Sequence, residues 1–415
     1  MEKSKRMSGA QIFFECLKNQ NVETIFGYPG GAVLPFYDTL YDIKDLEHIL
    51  VRHEQGAVHM AEGYSKATAR PGVVLVTSGP GATNTVTGIT DAFMDSIPLV
   101  IFTGQVPRSF LGLDSFQEAD VIGVTRPITK WNKLVRSPKE LLEAIPKAFK
   151  IATSGRPGPV LIDIPKDVAL EEMDFFGFSQ DNQPIKGPKV SFENKTDVYL
   201  KVLEAIKKAK RPLLYFGGGI IQSEADQELK EIVEYLNIPV TSTLQGLGGI
   251  PGDHPNFLGM LGMHGTYASN MAVDHCDLLL VLGARFDDRV TGKTDLFSKD
   301  SYKIHFDIDP SNMDKTITCD INVQGDLKTN LKTLLPLLKE DKKALNKSIK
   351  EQASWWENLI SWKKECPQLI KKEELGPTLI LSELNNTLKE NKTHFSVVTD
   401  VAVSYTHLTL PTTPY

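Results

Sequence analysis

The sequence predicts an α/β protein of tandem, doubly wound parallel-sheet domains, and two observations carry that expectation. Short apolar runs ending in Gly, Pro or Ser recur along the chain, each followed by a helix-patterned stretch. At 415 residues the chain is also too long for one ordinary core, so about two or three domains are expected.

In order, the strand candidates of the first part are TIFGYPG, GVVLVTSG, IPLVIFTGQ and PVLIDIPKD. Those of the second part are RPLLYFGGG, IPVTSTLQG, DLLLVLGAR and YKIHFDIDP. Their apolar residues are continuous rather than alternating, which suits strands covered on both faces by helices. Ligands in such folds sit beyond the carboxyl ends of the strands, where the glycines fall here. Between the first strands, VRHEQGAVHMAEGYSKATA (Val51 to Ala69) reads as a helix that places Glu54 on the face where Ala57, Val58 and Ala61 gather. On residue type alone such a carboxylate is either an exposed structural glutamate, the commoner case, or a group that serves chemistry. Farther on, Ser78, Gly79, Pro80 and Gly81 make a tight turn feeding a helix that begins near Ala82 and Thr83. The small residues Ala82, Gly88 and Ala92 suit that helix to close packing against another subunit.

The stretch from Phe175 to Asp197 loses periodicity and collects Pro, Gly and polar residues, so a linker is expected there. A charged helical region from Leu345 to Pro377 marks a second boundary, after which TLILSELNNTLKENKTHFSVVTDV reads as a helix and the first strand of a third domain. The expected domains are 1–185, 190–365 and the start of a third at 370–401, with 402–415 as a non-native tail that fits neither pattern.

Composition narrows the functions. Hydrophobic residues make up 41% and charged residues 24%, and no run is long enough to span a bilayer, so a membrane is not an expected partner. The formal charge of -6 provides no basic stripe for nucleic acid and favours small-molecule ligands. Cys16, Cys276, Cys319 and Cys366 form no CxxC pair, which argues against a disulfide framework or a zinc site and suits the reducing cytoplasm. The opening residues carry no apolar signal segment.

Three stretches carry candidate chemistry. GYPGGAVLP offers adjacent glycines between a strand and a helix, so its backbone can pass close to a flat ligand. LGARFDDRVTG places Arg285 and Arg289 one helical turn apart with Asp287 and Asp288 between them, a guanidinium set suited to a carboxylate or to an internal ion-pair cluster. Lys166 follows a strand in IPKDV. No GxGxxG is present, so spacing alone identifies no dinucleotide site.

GYPGGAVLPFYD, RHEQGAVHMAEGYSKA, TSGPGATNTVTGITDAFMDSIPLVIFTGQV, DSFQEADVIGVTRPITKWN, SGRPGPVLIDIPKDV, GMLGMHGTYASN and LGARFDDRVTGK, in this order and spacing, resemble the large catalytic subunits of the acetohydroxyacid synthase (acetolactate synthase) family, which are thiamin diphosphate enzymes. The likeness runs from residue 7 to residue 401. It implies that Glu54 contacts the aminopyrimidine ring of thiamin diphosphate and promotes its imino tautomer, whose nitrogen removes the thiazolium C2 proton. It implies a reaction in which pyruvate loses carbon dioxide and the two-carbon unit joins a second pyruvate or 2-oxobutyrate, for branched-chain amino acid biosynthesis. Tyr28, Pro29, Gly30, Gly31, Pro80 and Asn84 become cofactor-side positions, Gln117 a polar group near the reacting centre, and Phe116 and Lys166 channel residues. Arg289, supported by Asp288, becomes the receiver of the second oxo acid.

The resemblance further implies a largely structural FAD in the second domain. Gly217, Gly218, Gly219, Thr243, Leu244, Met263, His264, Gly283, Ala284, Arg285, Asp307, Ile308 and Asp326 would surround it, with Arg156 reaching over from the first domain. A homodimer of catalytic subunits and a small regulatory subunit are implied as partners. The family holds the diphosphate and Mg²⁺ in a third domain with a Gly-Asp-Gly signature, which this sequence lacks. The third domain is therefore expected to be almost wholly missing, and the chain as given to be inactive. Two rival expectations are a non-catalytic FAD-binding or subunit-association fragment and another thiamin diphosphate decarboxylase or oxidase.

Overall fold

A computed structural model describes residues 4–178, 196–364 and 377–391. The chain separates into two compact units, Met1–Lys189 and Val190–Tyr415. The middle of the expected linker, the strand expected after residue 391 and the 402–415 tail lie outside the described residues.

The first unit opens with β1 (Lys5–Ser8), then carries β2 (Thr24–Tyr28), β3 (Glu47–Leu50), β4 (Gly72–Val76), β5 (Leu99–Gln105), β6 (Trp131–Leu134) and β7 (Val160–Pro165), and closes with β8 (Glu172–Phe175). β2 to β7 form a six-stranded parallel sheet in the order β3-β2-β4-β5-β7-β6. Every residue of β4, β5 and β7 is buried, which is why their sequences are mostly apolar, with Thr103, Gln105 and Asp163 as the buried polar exceptions. One face packs Phe13 against Phe36 and Phe102, with ring centroids 4.8 and 4.7 Å apart. The other is covered by the helices Glu54–Thr68 and Val86–Asp95 through Val58, Ala61, Ile89 and Ala92.

That second face corrects an expectation. Gly88 and Ala92 pack inside their own unit, since a Cβ on Gly88 would lie 2.6 Å from Cβ of Val58. The small residues let two helices of one chain approach closely, not a neighbouring subunit. A pairing the sequence did not announce joins β1 antiparallel to β8, which ends at Phe175, the first residue of the stretch expected to be a linker.

The second unit carries β9 (Pro212–Phe216), β10 (Val240–Ser242), β11 (Phe257–Met260), β12 (Leu278–Leu282), β13 (Tyr302–Asp307) and β14 (Ile321–Gln324). They form a parallel sheet in the order β11-β10-β9-β12-β13-β14. The charged region supplies the helices Lys342–Glu351 and Ala353–Lys364, within the expected second domain of 190–365. Trp355, in the helix Ala353–Lys364, is 1% exposed and donates its Nε1–H to the Pro212 carbonyl at 3.1 Å. Among the described residues no helix is long and apolar enough to cross a membrane.

Candidate functional site

In the first unit the chain passes from β2 to β3 on one side and then to β4 on the other, so a crevice opens between the carboxyl ends of β2 and β4. Two turns meet there. Gly30, after β2, sits where a Cβ would lie 2.5 Å from Thr77, and Ala32 N–H donates to Thr77 Oγ1 at 3.3 Å. Gly31 has open space within 4 Å of where its Cβ would be, so its backbone stays accessible beside the exposed Tyr28 and Pro29.

Glu54 reaches this crevice because the helix Glu54–Thr68 starts there, just after β3. His53 caps it, Nδ1 accepting from Gln55 N–H at 3.1 Å. Glu54 is 9% exposed, and its Oε2 accepts from Asn84 Nδ2 at 2.9 Å. Its Oε1 is 3.4 Å from where a Cβ on Gly81 would stand, so a larger residue at Gly81 would press on the carboxylate. The expected single helix after Gly81 is in fact broken: Pro80–Thr83 makes one turn, and the longer helix runs Val86–Asp95. Asn84 occupies the break, which aims its amide at Glu54.

The loop after β5 brings in Gln117. Gly79 and Gln117 both have φ of +58°, and a Cβ on Gly79 would meet the Gln117 carbonyl oxygen at 2.7 Å, so the two backbones stack. Glu118 folds this loop by accepting from Gly112 and Ser115 N–H groups, which hold its carboxyl below the usual range. Arg108 ties it to the segment after β7, donating to Asp167 at 2.6 Å and Glu171 at 2.7 Å. Lys166, half-buried, begins that segment, whereas Phe116 is 88% exposed. Beneath the loop, buried Asp163 accepts from Thr103 Oγ1 at 2.7 Å and Gln105 Nε2 at 2.9 Å. The same Gln105 nitrogen donates to the Ala119 carbonyl at 2.9 Å, and burial pushes the Asp163 carboxyl up to about 7. Arg156 donates to Ser96 Oγ at 2.7 Å and to the Met94 carbonyl, both in its own unit.

The second unit has its own crevice, between β9 and β12, where the strand order again reverses. Gly217 to Gly219 follow β9 and Gly283 to Arg285 follow β12. The two turns lie backbone to backbone: Gly217 N–H donates to Leu282 O and Gly219 N–H to Gly283 O, both at 3.0 Å. A Cβ on Gly217 would sit 2.5 Å from Gly283 O, and Gly283 has φ +59°. These glycines are therefore required by the crossing itself, and a Cβ on Gly218 would stand only 3.1 Å from Gln245 Cβ. Thr243 caps the turn Leu244–Gly246 through its Oγ1, which accepts from Gly246 N–H at 3.0 Å.

Met263 and half-buried His264 follow β11, and Met263 N–H donates to Arg289 O at 2.8 Å, joining the two loops. Arg289 Nε stands 4.0 Å from Asp288 Oδ2, with side chains 70% and 82% exposed. Such a pair contributes at most about 1 kcal/mol, so Asp288 does not fix the guanidinium as expected. The backbone bond to Met263 positions the segment instead, and Asp287 caps the short helix Asp288–Thr291. Asp307 ends β13, accepts from Asp309 N–H at 2.8 Å and has its pKa raised by burial, with half-buried Ile308 next in the chain. Asp326 caps the helix Leu327–Glu340, accepting from Thr329 N–H at 3.0 Å.

Three features escaped the sequence reading. Asp163 was hidden inside an apolar strand run, and so was His305 in β13; a lone polar residue in such a run was the available signal. His59, Glu62 and Asp91 bring ligand atoms within 4.8 Å of one another, but Lys66 lies 3.0 Å from Glu62 and supplies the balancing cation.

Residues 7–124 match the family model of the thiamine pyrophosphate enzyme N-terminal TPP binding domain, and residues 200–334 that of the thiamine pyrophosphate enzyme central domain. The chain is 46% identical to the acetolactate synthase large subunit of Buchnera aphidicola from Acyrthosiphon pisum, over 86% of this chain and 62% of the relative. It is 43% identical to the mitochondrial acetolactate synthase catalytic subunit of Saccharomyces cerevisiae, over 95% of this chain and 59% of the relative. With the acetolactate synthase isozyme 3 large subunit of Escherichia coli it shares 41% identity, over 91% of this chain and 66% of the relative. The chain spans about three fifths of the length of the curated relatives it matches.

Proposed function

The chain belongs to the thiamine pyrophosphate enzyme family, and on that premise we propose that it supplies the pyrimidine-binding and flavin-binding domains of an acetolactate synthase catalytic subunit. The reaction removes carbon dioxide from pyruvate and joins the remaining two carbons to a second pyruvate or 2-oxobutyrate, giving acetolactate or acetohydroxybutyrate. The observation that carries this reading is the buried Glu54 carboxylate, held by Asn84 at 2.9 Å at the switch point of a doubly wound sheet.

Thiamin diphosphate, when bound, supplies the carbon nucleophile and the electron sink for decarboxylation. The accessible backbone at Gly31 fits a flat ring laid against the β2 turn. Glu54 would hold a proton at the ring nitrogen of the aminopyrimidine, and Asn84 would keep the carboxylate aimed there. Gln117, stacked over the Gly79 turn, would present a polar group to the reacting centre, with Phe116 and Lys166 on the substrate path. Arg289 would take the carboxylate of the second oxo acid in a forked contact. Excluding water from this region protects the reacting carbon from protonation before the acceptor arrives.

FAD fits the second unit on the strength of its sheet order, whose reversal at the β9 and β12 glycine turns is that of dinucleotide-binding folds, and of the acidic strand end Asp307. Gly217 to Gly219, Thr243, Leu244, Met263, His264, Gly283 to Arg285, Ile308 and Asp326 would complete its surroundings. The described residues offer no oxygen-ligand set for Mg²⁺ and a diphosphate at the β2/β4 crevice, and no step is routed through that ion. A second copy of the subunit and a small regulatory subunit are the proposed partners, and the cytoplasm the proposed compartment.

The test joins this chain at Val401 to the carboxyl-terminal domain of the E. coli relative. The fusion should form acetolactate from pyruvate, and acetohydroxybutyrate when 2-oxobutyrate is added. A folded fusion that binds thiamin diphosphate yet releases only acetaldehyde overturns the reading.

A further inference from the structure

His305 is a fully buried imidazole in the middle of the second unit's sheet, used by none of the chemistry above. On β13 it stands in register with Val281 of β12, which in turn pairs with Tyr215 of β9, so it sits directly behind the two glycine turns. Its Nε2 lies 3.1 Å from the Ala284 carbonyl oxygen. A carbonyl only accepts, so Nε2 carries the proton and Nδ1 is left bare; Nδ1 is buried and has no hydrogen-bond partner. Burial lowers the imidazole pKa, which keeps the ring neutral at pH 7. The ring packs edge-on against Phe286 at 5.1 Å between centroids, and Asp307 Oδ2 is 3.6 Å from Nε2.

The location gives this contact a purpose. The backbone ladder between β12 and β13 ends where Gly283 N–H donates to Phe306 O at 2.8 Å. The next residue, Ala284, is 2% exposed and lies in the turn that crosses Gly217 and Gly219. Its carbonyl lies past the strand end, and His305 supplies by side chain the donor that the sheet no longer supplies by backbone.

We propose that His305 is a positioning residue for the flavin site, using its Nε2–H to hold the Gly283–Arg285 turn in fixed relation to Asp307. The assignment rests on the FAD reading above. It requires a donor at this point and is not met by bulk alone, which separates it from simple core packing.

The experiment titrates FAD into the 415-residue chain, following quenching of flavin fluorescence, with thermal unfolding recorded for every variant. His305→Phe keeps the ring volume but removes the donor, and should weaken FAD binding by about 10-fold or more. His305→Gln can return an N–H to the Ala284 carbonyl and should recover affinity to within about threefold of wild type. Equal affinity of His305→Phe and wild type overturns the assignment while leaving the flavin reading intact. Equal weakening by both variants, with cooperative unfolding retained, also overturns it, because a donor then makes no difference. Should His305→Phe not fold, recovery by His305→Gln against the weaker His305→Asn, whose shorter amide falls short of Ala284, decides in the same way. Absence of FAD binding by the wild-type chain overturns the flavin reading and this assignment together.

Discussion

Asp163 shows how one buried polar residue joins distant parts of a site. It lies in β7, three residues before Lys166, and through Gln105 it fixes the Ala119 carbonyl, two residues beyond Gln117. Burial raises its carboxyl from 3.8 to about 7, so the folded state favours the protonated form. The sign follows: its contribution to stability is fully present below about pH 4 and is lost as pH rises through about 7. Asp163→Asn should remove this dependence. Urea unfolding between pH 4 and 8 should show wild type losing up to about 4 kcal/mol relative to the variant as pH rises. Parallel pH profiles would show that Asp163 is ionised in the fold throughout.

At the scale of elements, the helices Glu54–Thr68 and Val86–Asp95 meet through a fitted pair, Val58 on one and Gly88 on the other. Gly88→Ala gains up to about 1 kcal/mol of helix propensity, yet its Cβ would enter at 2.6 Å from Val58, where overpacking costs about 1–3 kcal/mol. The substitution should lower the urea midpoint, and adding Val58→Ala should recover part of the loss; a midpoint raised by Gly88→Ala alone would refute the packing argument. The same pair shows what a sequence conceals. The apolar runs of β2, β4, β5, β7, β9, β10, β12 and β13 were legible because strands covered on both faces need no alternation. Edge strands β3, β6 and β14 carry mixed residues and left no such trace, β11 is a buried run of only four residues, and β1 and β8 are joined only by a pairing between opposite ends of the unit. Gly88 announced a close approach but not the partner. Glu54 was conspicuous by its place on an apolar helix face, while its donor Asn84 depended on a helix break that local spacing did not reveal.

Across the whole molecule the same device appears twice: a doubly wound sheet, a reversal of strand order, and glycine turns at the carboxyl ends of the strands flanking it. In the first unit the crevice contains a buried carboxylate, and in the second it is lined by crossing backbones and acidic strand ends. This division of labour matches the proposal that one unit presents a proton-handling group to thiamin diphosphate and the other holds a flavin. The central claim is that Glu54 governs that proton. It is tested most directly by NMR measurement of deuterium exchange at C2 of thiamin diphosphate bound to the fusion described above, comparing wild type with Glu54→Gln. The account predicts exchange at least about 100-fold slower in the variant, with the cofactor still bound. Equal exchange rates in the two proteins would contradict it.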